Sequence, residues 1–135
     1  MLKEIKLVST GFTFLVFYTA AFLIFGMHYF INGDMSMGQT LIRMCIIAPV
    51  WEELAFRYVP QKLFGNLNRT ATIIGSSVFF GYIHGGVPNI FIQGVAGVVL
   101  SLVYIYSGYK LWTNILLHAM WNFFLAVIIP IYVLA

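Results

Sequence analysis

The chain has 135 residues, of which 61% are hydrophobic and only 8% are charged. Soluble domains carry roughly 25% charged residues, so this composition excludes a water-soluble globule and predicts an integral membrane protein. Seven basic and four acidic side chains give a formal net charge of +3, and the basic residues do not cluster. No nucleic-acid partner is therefore expected, and the single cysteine, Cys45, excludes an internal disulfide.

Apolar runs predict an all-α fold, a polytopic membrane helix bundle with about five transmembrane helices, because a spanning helix needs about 20 mostly apolar residues. The runs cover Leu7 to Ile31, Thr40 to Tyr58, Thr70 to His84, Pro88 to Ser107 and Leu111 to Leu134. Pro60 is expected to end the second run. Residues 1–39 are predicted to form an amino-terminal transmembrane anchor helix and loop, and residues 40–135 a four-helix core.

Lysine and arginine residues lie in alternate predicted loops. Because cytoplasmic loops carry an excess of these residues, the expected location is a cell membrane crossed several times, with a cytoplasmic amino terminus and an external carboxyl terminus. Arg43, near the predicted outer end of the second run, is the exception. The residues that set this orientation are Lys3, Lys6, Lys62, Arg69 and Lys110.

The second apolar run contains three ionisable residues, which are costly inside a bilayer and therefore indicate function by default. Glu53 and Arg57 are four residues apart with the acid first, an order that favours an ion pair on a helix. Glu52 lies about 100° around the helix from Glu53 and has no local partner. Pro49 cannot bond to the carbonyl of Cys45, so a kink and a wet cavity are expected beside Glu52. Alternatively, both glutamates lie among the headgroups and simply end the helix.

Two further polar groups lie on other predicted helices. His84 ends the third run, one helical turn after Phe80, and a lone histidine at a helix end is commonly interfacial. Asn114, His118 and Asn122 are each four residues apart, so they form one polar stripe on an otherwise apolar helix. Such a stripe must face protein or water, either as a functional site or as a hydrogen-bonded helix contact.

Together these groups resemble the motif set of the CAAX prenyl protease and bacteriocin-processing family of membrane proteins, also called the CPBP or Abi family. The family pattern is EExxxR, then FxxxH, then HxxxN, and the likeness covers residues 40 to 126. The motifs stand here as Glu52-Glu53-x-x-x-Arg57, Phe80-x-x-x-His84 and His118-x-x-x-Asn122, in the family's order.

The resemblance implies a membrane-embedded endopeptidase that hydrolyses a peptide bond with glutamate-activated water and without a cofactor. It implies that Glu52 deprotonates a water also held by His84, while His118 and Asn122 donate hydrogen bonds to the oxyanion. Larger eukaryotic members of the family remove three residues from prenylated proteins, and bacterial members are linked to bacteriocin maturation and self-immunity. The short chain favours the bacterial role. The implied residues are Glu52, His84, His118 and Asn122, with Glu53 and Arg57 in supporting positions.

The expected partners are the lipid bilayer and a peptide or membrane-protein substrate. Many relatives have further helices before the motifs, so a homodimer is a second way to complete the cavity. One alternative function is a zinc-dependent membrane protease with Glu52, His84 and His118 as ligands. Others are a non-catalytic membrane immunity or interaction protein and a small dimeric transporter that uses the Glu52 carboxylate.

Overall fold

A computed structural model of the chain describes residues 1–24 and 37–128. Over these two ranges the chain is helical and has no strands, so the predicted all-α class is confirmed. The helices are α1 (Leu2–Ile24), α2 (37–64), α3 (Arg69–Ile83), α4 (Val87–Tyr106) and α5 (111–128). The predicted ends of the first and fifth runs, at Ile31 and Leu134, lie outside the described residues.

The predicted third, fourth and fifth runs begin within one residue of α3, α4 and α5. The start of α3 has a local cause, since the Asn68 side chain accepts a 2.9 Å hydrogen bond from the Ala71 amide. Among the described residues, α4 is the one helix long and apolar enough to cross a membrane, judged by length and composition. The apolar part of α5, Leu111–Val127, is shorter.

The prediction that Pro60 ends the second helix is wrong, because α2 continues to Phe64. The helix widens just before the proline, into the π-helical segment Leu54–Tyr58. There the Val59 amide bonds to the Leu54 carbonyl, five residues back. Phe56, whose carbonyl Pro60 cannot reach with a hydrogen bond, is the middle residue of this segment. The wider turn therefore carries the helix past the proline.

The same relation holds around Pro49, the other proline of α2. Pro49 has no N–H to donate to the Cys45 carbonyl, and Cys45 is the middle residue of the π-helical segment Arg43–Ile47. The Ala48 amide bonds to Arg43, again five residues back. Between the two π segments lies the short α-helical stretch Ala48–Glu53, which carries both glutamates.

The main apolar core is formed by α1, α4 and α5. Leu15, Leu100, Leu117 and Trp121 are fully buried at its centre. Gly11 permits close approach of α1, since a Cβ there would lie 2.9 Å from the Leu117 side chain. The helix α1 therefore packs into the same core as two helices of the predicted four-helix unit.

Close backbone contact joins α3 to α4. A Cβ on Gly81 would lie 2.7 Å from the Ile90 Cα atom and 2.8 Å from the Gly94 nitrogen. Further along the contact, a Cβ on Gly97 would lie 3.1 Å from Ser77. Small residues thus fix the distance between the two helices, and with it the position of the carboxyl end of α3.

Candidate active site

Glu53 lies in a closed polar cluster between α2 and α5. Its side chain is fully buried, as is that of Arg57, whose Nε atom lies 3.5 Å from Glu53 Oε2. Asn114 Nδ2 donates a 2.5 Å hydrogen bond to the same oxygen. Glu53 Oε1 lies 2.7 Å from His118 Nδ1. The predicted Glu53–Arg57 ion pair is present, and both carboxylate oxygens have partners.

The contact with Glu53 fixes the tautomer and orientation of His118. Because a carboxylate oxygen accepts hydrogen bonds, Nδ1 of the ring must carry the proton and donate it to Glu53. The other nitrogen, Nε2, lies 3.4 Å from Glu52 Oε2. The buried His118 ring therefore connects the two neighbouring glutamates, one at each nitrogen.

His84 is oriented in the same manner by its own helix. Its Nδ1 atom lies 2.7 Å from the Phe80 carbonyl oxygen, which can only accept, so Nδ1 is the donor. Its Nε2 atom lies 3.6 Å from Glu52 Oε2. The His84 side chain is 27% exposed. Because its ring faces Glu52 of another helix, His84 is more than a histidine at the end of a helix near the membrane interface.

Glu52 is the point on which α2, α3 and α5 converge. Both Nε2 atoms approach the same carboxylate oxygen from different helices, at separations longer than an ordinary hydrogen bond. The Glu52 side chain is 22% exposed, whereas Glu53 is fully buried. The Glu52 Oε2 atom is itself buried and has no hydrogen-bond partner among the described residues, so the two imidazole nitrogens are the polar groups that it faces.

Asn122 reaches the backbone of α2. One hydrogen of its Nδ2 group is donated to the Met44 carbonyl oxygen at 2.7 Å. Met44 lies in the first π segment, Arg43–Ile47. Since an amide nitrogen has two hydrogens, Asn122 keeps a second donor.

Phe80 joins the parts of the site through its ring. The ring is fully buried, with the His84 ring centroid at 4.4 Å and the His118 ring centroid at 5.9 Å. The Arg57 guanidinium carbon lies 4.4 Å from the same centroid, within cation–π range. The phenylalanine of the FxxxH motif therefore contacts one residue from each motif.

The polar stripe on α5 contains one residue, Asn114, for which the sequence predicts no contact. The spacing places Asn114 in the polar stripe without naming a partner, and the structure pairs it with Glu53. Its spacing of four before His118 was the available signal. Within residues 1–24 and 37–128, no group of three or more His, Cys, Asp and Glu side chains has an arrangement suited to a metal ion.

The family follows from the matched part of the chain. A family profile described as type II CAAX prenyl endopeptidase, Rce1-like, matches residues 36–124. The chain belongs to this Rce1-like family. The matched range runs from α2 into α5 and includes Glu52, His84 and His118. The resemblance noted from the three motifs is thereby confirmed, and the family is one of membrane-embedded proteases.

A curated relative supports the same grouping. The chain is similar to the UPF0177 protein YaiF of Lactococcus lactis subsp. lactis (strain IL1403), with 35% identity over 82 residues. The alignment covers 60% of this chain and 36% of that relative, so the chain spans little more than a third of the relative's length. No solved structure is significantly similar to the chain.

Proposed function

We propose that the chain is an intramembrane endopeptidase in which Glu52 activates the attacking water. The convergence of Glu52, His84 and His118 from three helices carries this proposal. Membership of the Rce1-like family supports the hydrolase class. The two histidines present Nε2 to the glutamate because their Nδ1 atoms are already occupied by Phe80 and Glu53.

The first step is attack of water on the scissile carbonyl carbon. Glu52 takes one proton from a water that His84 Nε2 also holds, and the hydroxide forms a bond to the carbon. The carbonyl oxygen becomes an oxyanion. Asn122 donates its second amide hydrogen to it, and His118 donates from Nε2 when that nitrogen is protonated. Glu53, hydrogen-bonded to Nδ1, stabilises the positive charge that His118 then carries.

The second step is expulsion of the amine. The carbon–nitrogen bond breaks, and Glu52 returns the proton that it took from water to the leaving nitrogen. The products are a carboxylic acid and an amine, so one water is consumed and no oxidant, reductant or cofactor is needed.

We propose the same multi-pass topology as the sequence predicts, with the amino terminus in the cytoplasm and the carboxyl terminus outside. Large apolar side chains on the outer surface support contact with lipid, among them Trp51, Leu63, Phe79 and Phe91. Alkaline phosphatase fused after Ala135 should be active, and the same fusion after Lys110 should be inactive. Activity of the fusion after Lys110 together with inactivity of the fusion after Ala135 would show the opposite orientation in the membrane.

The substrate class proposed is a peptide or membrane protein, processed during peptide maturation or self-immunity, with CAAX-type processing as the family's own chemistry. Two internally quenched peptides distinguish peptide processing from CAAX-type processing. One ends in a farnesylated CAAX sequence, and the other has the same residues without the lipid. Equal cleavage of both by the purified chain would favour peptide processing, and cleavage of the farnesylated peptide alone would favour CAAX processing.

A chelator distinguishes the proposed mechanism from a zinc enzyme that uses Glu52, His84 and His118. We expect hydrolysis to persist after dialysis against EDTA. Loss of hydrolysis that added zinc restores would contradict the metal-independent mechanism. A non-catalytic immunity protein would cleave neither peptide, yet would protect cells equally well with Glu52→Gln.

A further inference from the structure

The turn after α3 is built so that the His84 backbone has a fixed place. The helix ends at Ile83, and His84 follows as its carboxyl-terminal cap, with its amide bonded to the Gly81 carbonyl. Gly85 and Gly86 follow with φ of 140° and 79°, in the region that L residues rarely adopt. The chain therefore reverses sharply within two residues and enters α4.

Asn89, in the first turn of α4, closes this turn from the other side. Its Nδ2 atom donates a 2.8 Å hydrogen bond to the His84 carbonyl oxygen. Its own backbone amide bonds to the Gly86 carbonyl at 3.2 Å. A Cβ on Gly85 would lie 2.2 Å from Asn89 Nδ2, so the amide occupies the space that any larger residue would fill.

His84 is thus held at two points that lie on different elements. Phe80 accepts from the ring at Nδ1, and Asn89 donates to the backbone carbonyl. Without the Asn89 contact, the carbonyl of His84 loses a hydrogen bond, and this residue at the carboxyl-terminal cap of α3 is free to fray, as helix ends do. Since Nε2 of the same ring faces Glu52, fraying would move it relative to the carboxylate.

We infer that Asn89 is a positioning residue for His84 in the proposed hydrolysis. This inference rests on the proposed function, because it assigns to Asn89 the placement of one of the two imidazoles that face Glu52. Asn89 acts through the His84 backbone and does not touch the reacting atoms. A residue with only a capping role would affect stability alone.

The test uses the full chain in detergent micelles with two variants of Asn89 and one control. Asn89→Ala removes the donor, and Asn89→Gln retains an amide on a side chain one methylene longer. Asn66→Ala makes the same change at an exposed turn residue. The readouts are the ¹⁵N ring resonances of His84, assigned by comparison with His84→Gln, and kcat and KM on the quenched peptide that the wild type cleaves.

We expect Asn89→Ala to shift the His84 ring resonances, to leave those of His118 in place, and to lower kcat about tenfold with KM nearly unchanged. Asn89→Gln should lie between Asn89→Ala and the wild type. Unchanged His84 resonances in Asn89→Ala would overturn the inference, and so would a wild-type kcat.

The two hypotheses fail in different ways. If the wild type cleaves no peptide but the His84 resonances shift as expected, the proposed function fails and the placement of His84 by Asn89 stands. If Asn89→Ala does not fold, Asn89→Gln carries the same comparison. In that case wild-type resonances and a wild-type kcat in Asn89→Gln, together with a wild-type Asn66→Ala, would overturn the inference.

Discussion

Glu52 and Glu53 are adjacent in the chain but lie in opposite surroundings. Glu53 is fully buried and has a partner at each oxygen, supplied by Arg57, Asn114 and His118. Glu52 is partly exposed, and its Oε2 atom faces two imidazole nitrogens at distances beyond an ordinary hydrogen bond. The buried and fully paired surroundings of Glu53 favour a structural charge. The partly exposed surroundings of Glu52 favour a carboxylate that exchanges protons.

The difference arises from helix geometry and from the neighbours on each face. Adjacent residues point about 100° apart, so one carboxylate faces α5 along the polar stripe and the other faces the gap between α3 and α5. His118 contacts both, through different ring nitrogens. A substitution at Glu52 should therefore change reactivity, and a substitution at Glu53 should change folding first.

The largest expected effect is on hydrolysis by Glu52→Gln. The amide keeps the size of the side chain but cannot take a proton from water, so we expect the rate to fall by about 10²- to 10⁴-fold. The thermal unfolding temperature in detergent should stay close to that of the wild type, because Glu52 Oε2 has no hydrogen-bond partner among the described residues. Wild-type hydrolysis at normal abundance would refute the proposed mechanism. His118→Ala should also abolish most activity.

A second prediction concerns the buried ion pair of the closed cluster. Arg57→Met leaves the Glu53 carboxylate without its cation, and we expect unfolding free energy to fall by about 3 to 5 kcal/mol. The double variant Glu53→Gln with Arg57→Met removes both charges and should recover part of that loss. Chemical denaturation in micelles measures Arg57→Met, Glu53→Gln alone and the double variant against the wild type. Additive losses would mean that the two charges do not interact.

The next effect concerns the contact that sets the position of His84. Gly81→Ala would place a Cβ 2.8 Å from the Asn89 carbonyl oxygen, so α3 and α4 must separate. We expect a loss of about 1 to 3 kcal/mol in unfolding free energy, and a fall in hydrolysis at temperatures where the protein is still folded. Gly75→Ala is the matched control on the same helix, since a Cβ there meets nothing within 4 Å. Equal behaviour of the two variants would contradict the packing argument.

The smallest effect is expected at a third carboxylate, which lies before the predicted first span. Glu4 is hydrogen-bonded to the Lys110 ammonium, which, together with the amino-terminal amine, lowers the pKa of Glu4 from 4.5 to about 2. A lowered pKa stabilises the fold above pH 4.5, and this stabilisation is lost as the pH falls toward 2. The wild type should thus unfold at a higher temperature than Glu4→Gln at pH 6, and the difference should shrink on acidification. A difference that does not depend on pH would show that the ion pair is not its source.

The sequence predicted those parts of the site that depend on spacing within one helix. Four residues separate Glu53 from Arg57, and helix geometry alone brings such residues together. The stripe of Asn114 and His118 follows from the same rule. The starts of α3, α4 and α5 lie within one residue of their predicted positions, whereas α1 and α2 begin at Leu2 and Met37, before the predicted Leu7 and Thr40.

Proline and depth were harder to interpret from the sequence. Pro60 breaks the regular hydrogen-bond pattern, and only the structure shows that a π segment absorbs the break. Counting residues at about 1.5 Å each along upright helices places Glu52 roughly 9 Å, His118 roughly 12 Å and His84 roughly 21 Å from the cytoplasmic side. In the structure, His84 Nε2 nevertheless lies 3.6 Å from Glu52 Oε2. The residue count missed this contact because it takes no account of helix tilt or of how closely the helices pack.

By itself, the sequence determined that this chain is apolar and helical, and that three of its eleven charged side chains, Glu52, Glu53 and Arg57, fall within six residues of one helix. Only the tertiary structure decided that Asn114 and His118 close the cluster around Glu53 and that His84 faces Glu52. Contacts within a helix are fixed by its 3.6-residue period, whereas contacts between helices depend on rotation and separation. Here those are set by residues distant in sequence, such as Gly97 against Ser77 and Asn122 against Met44.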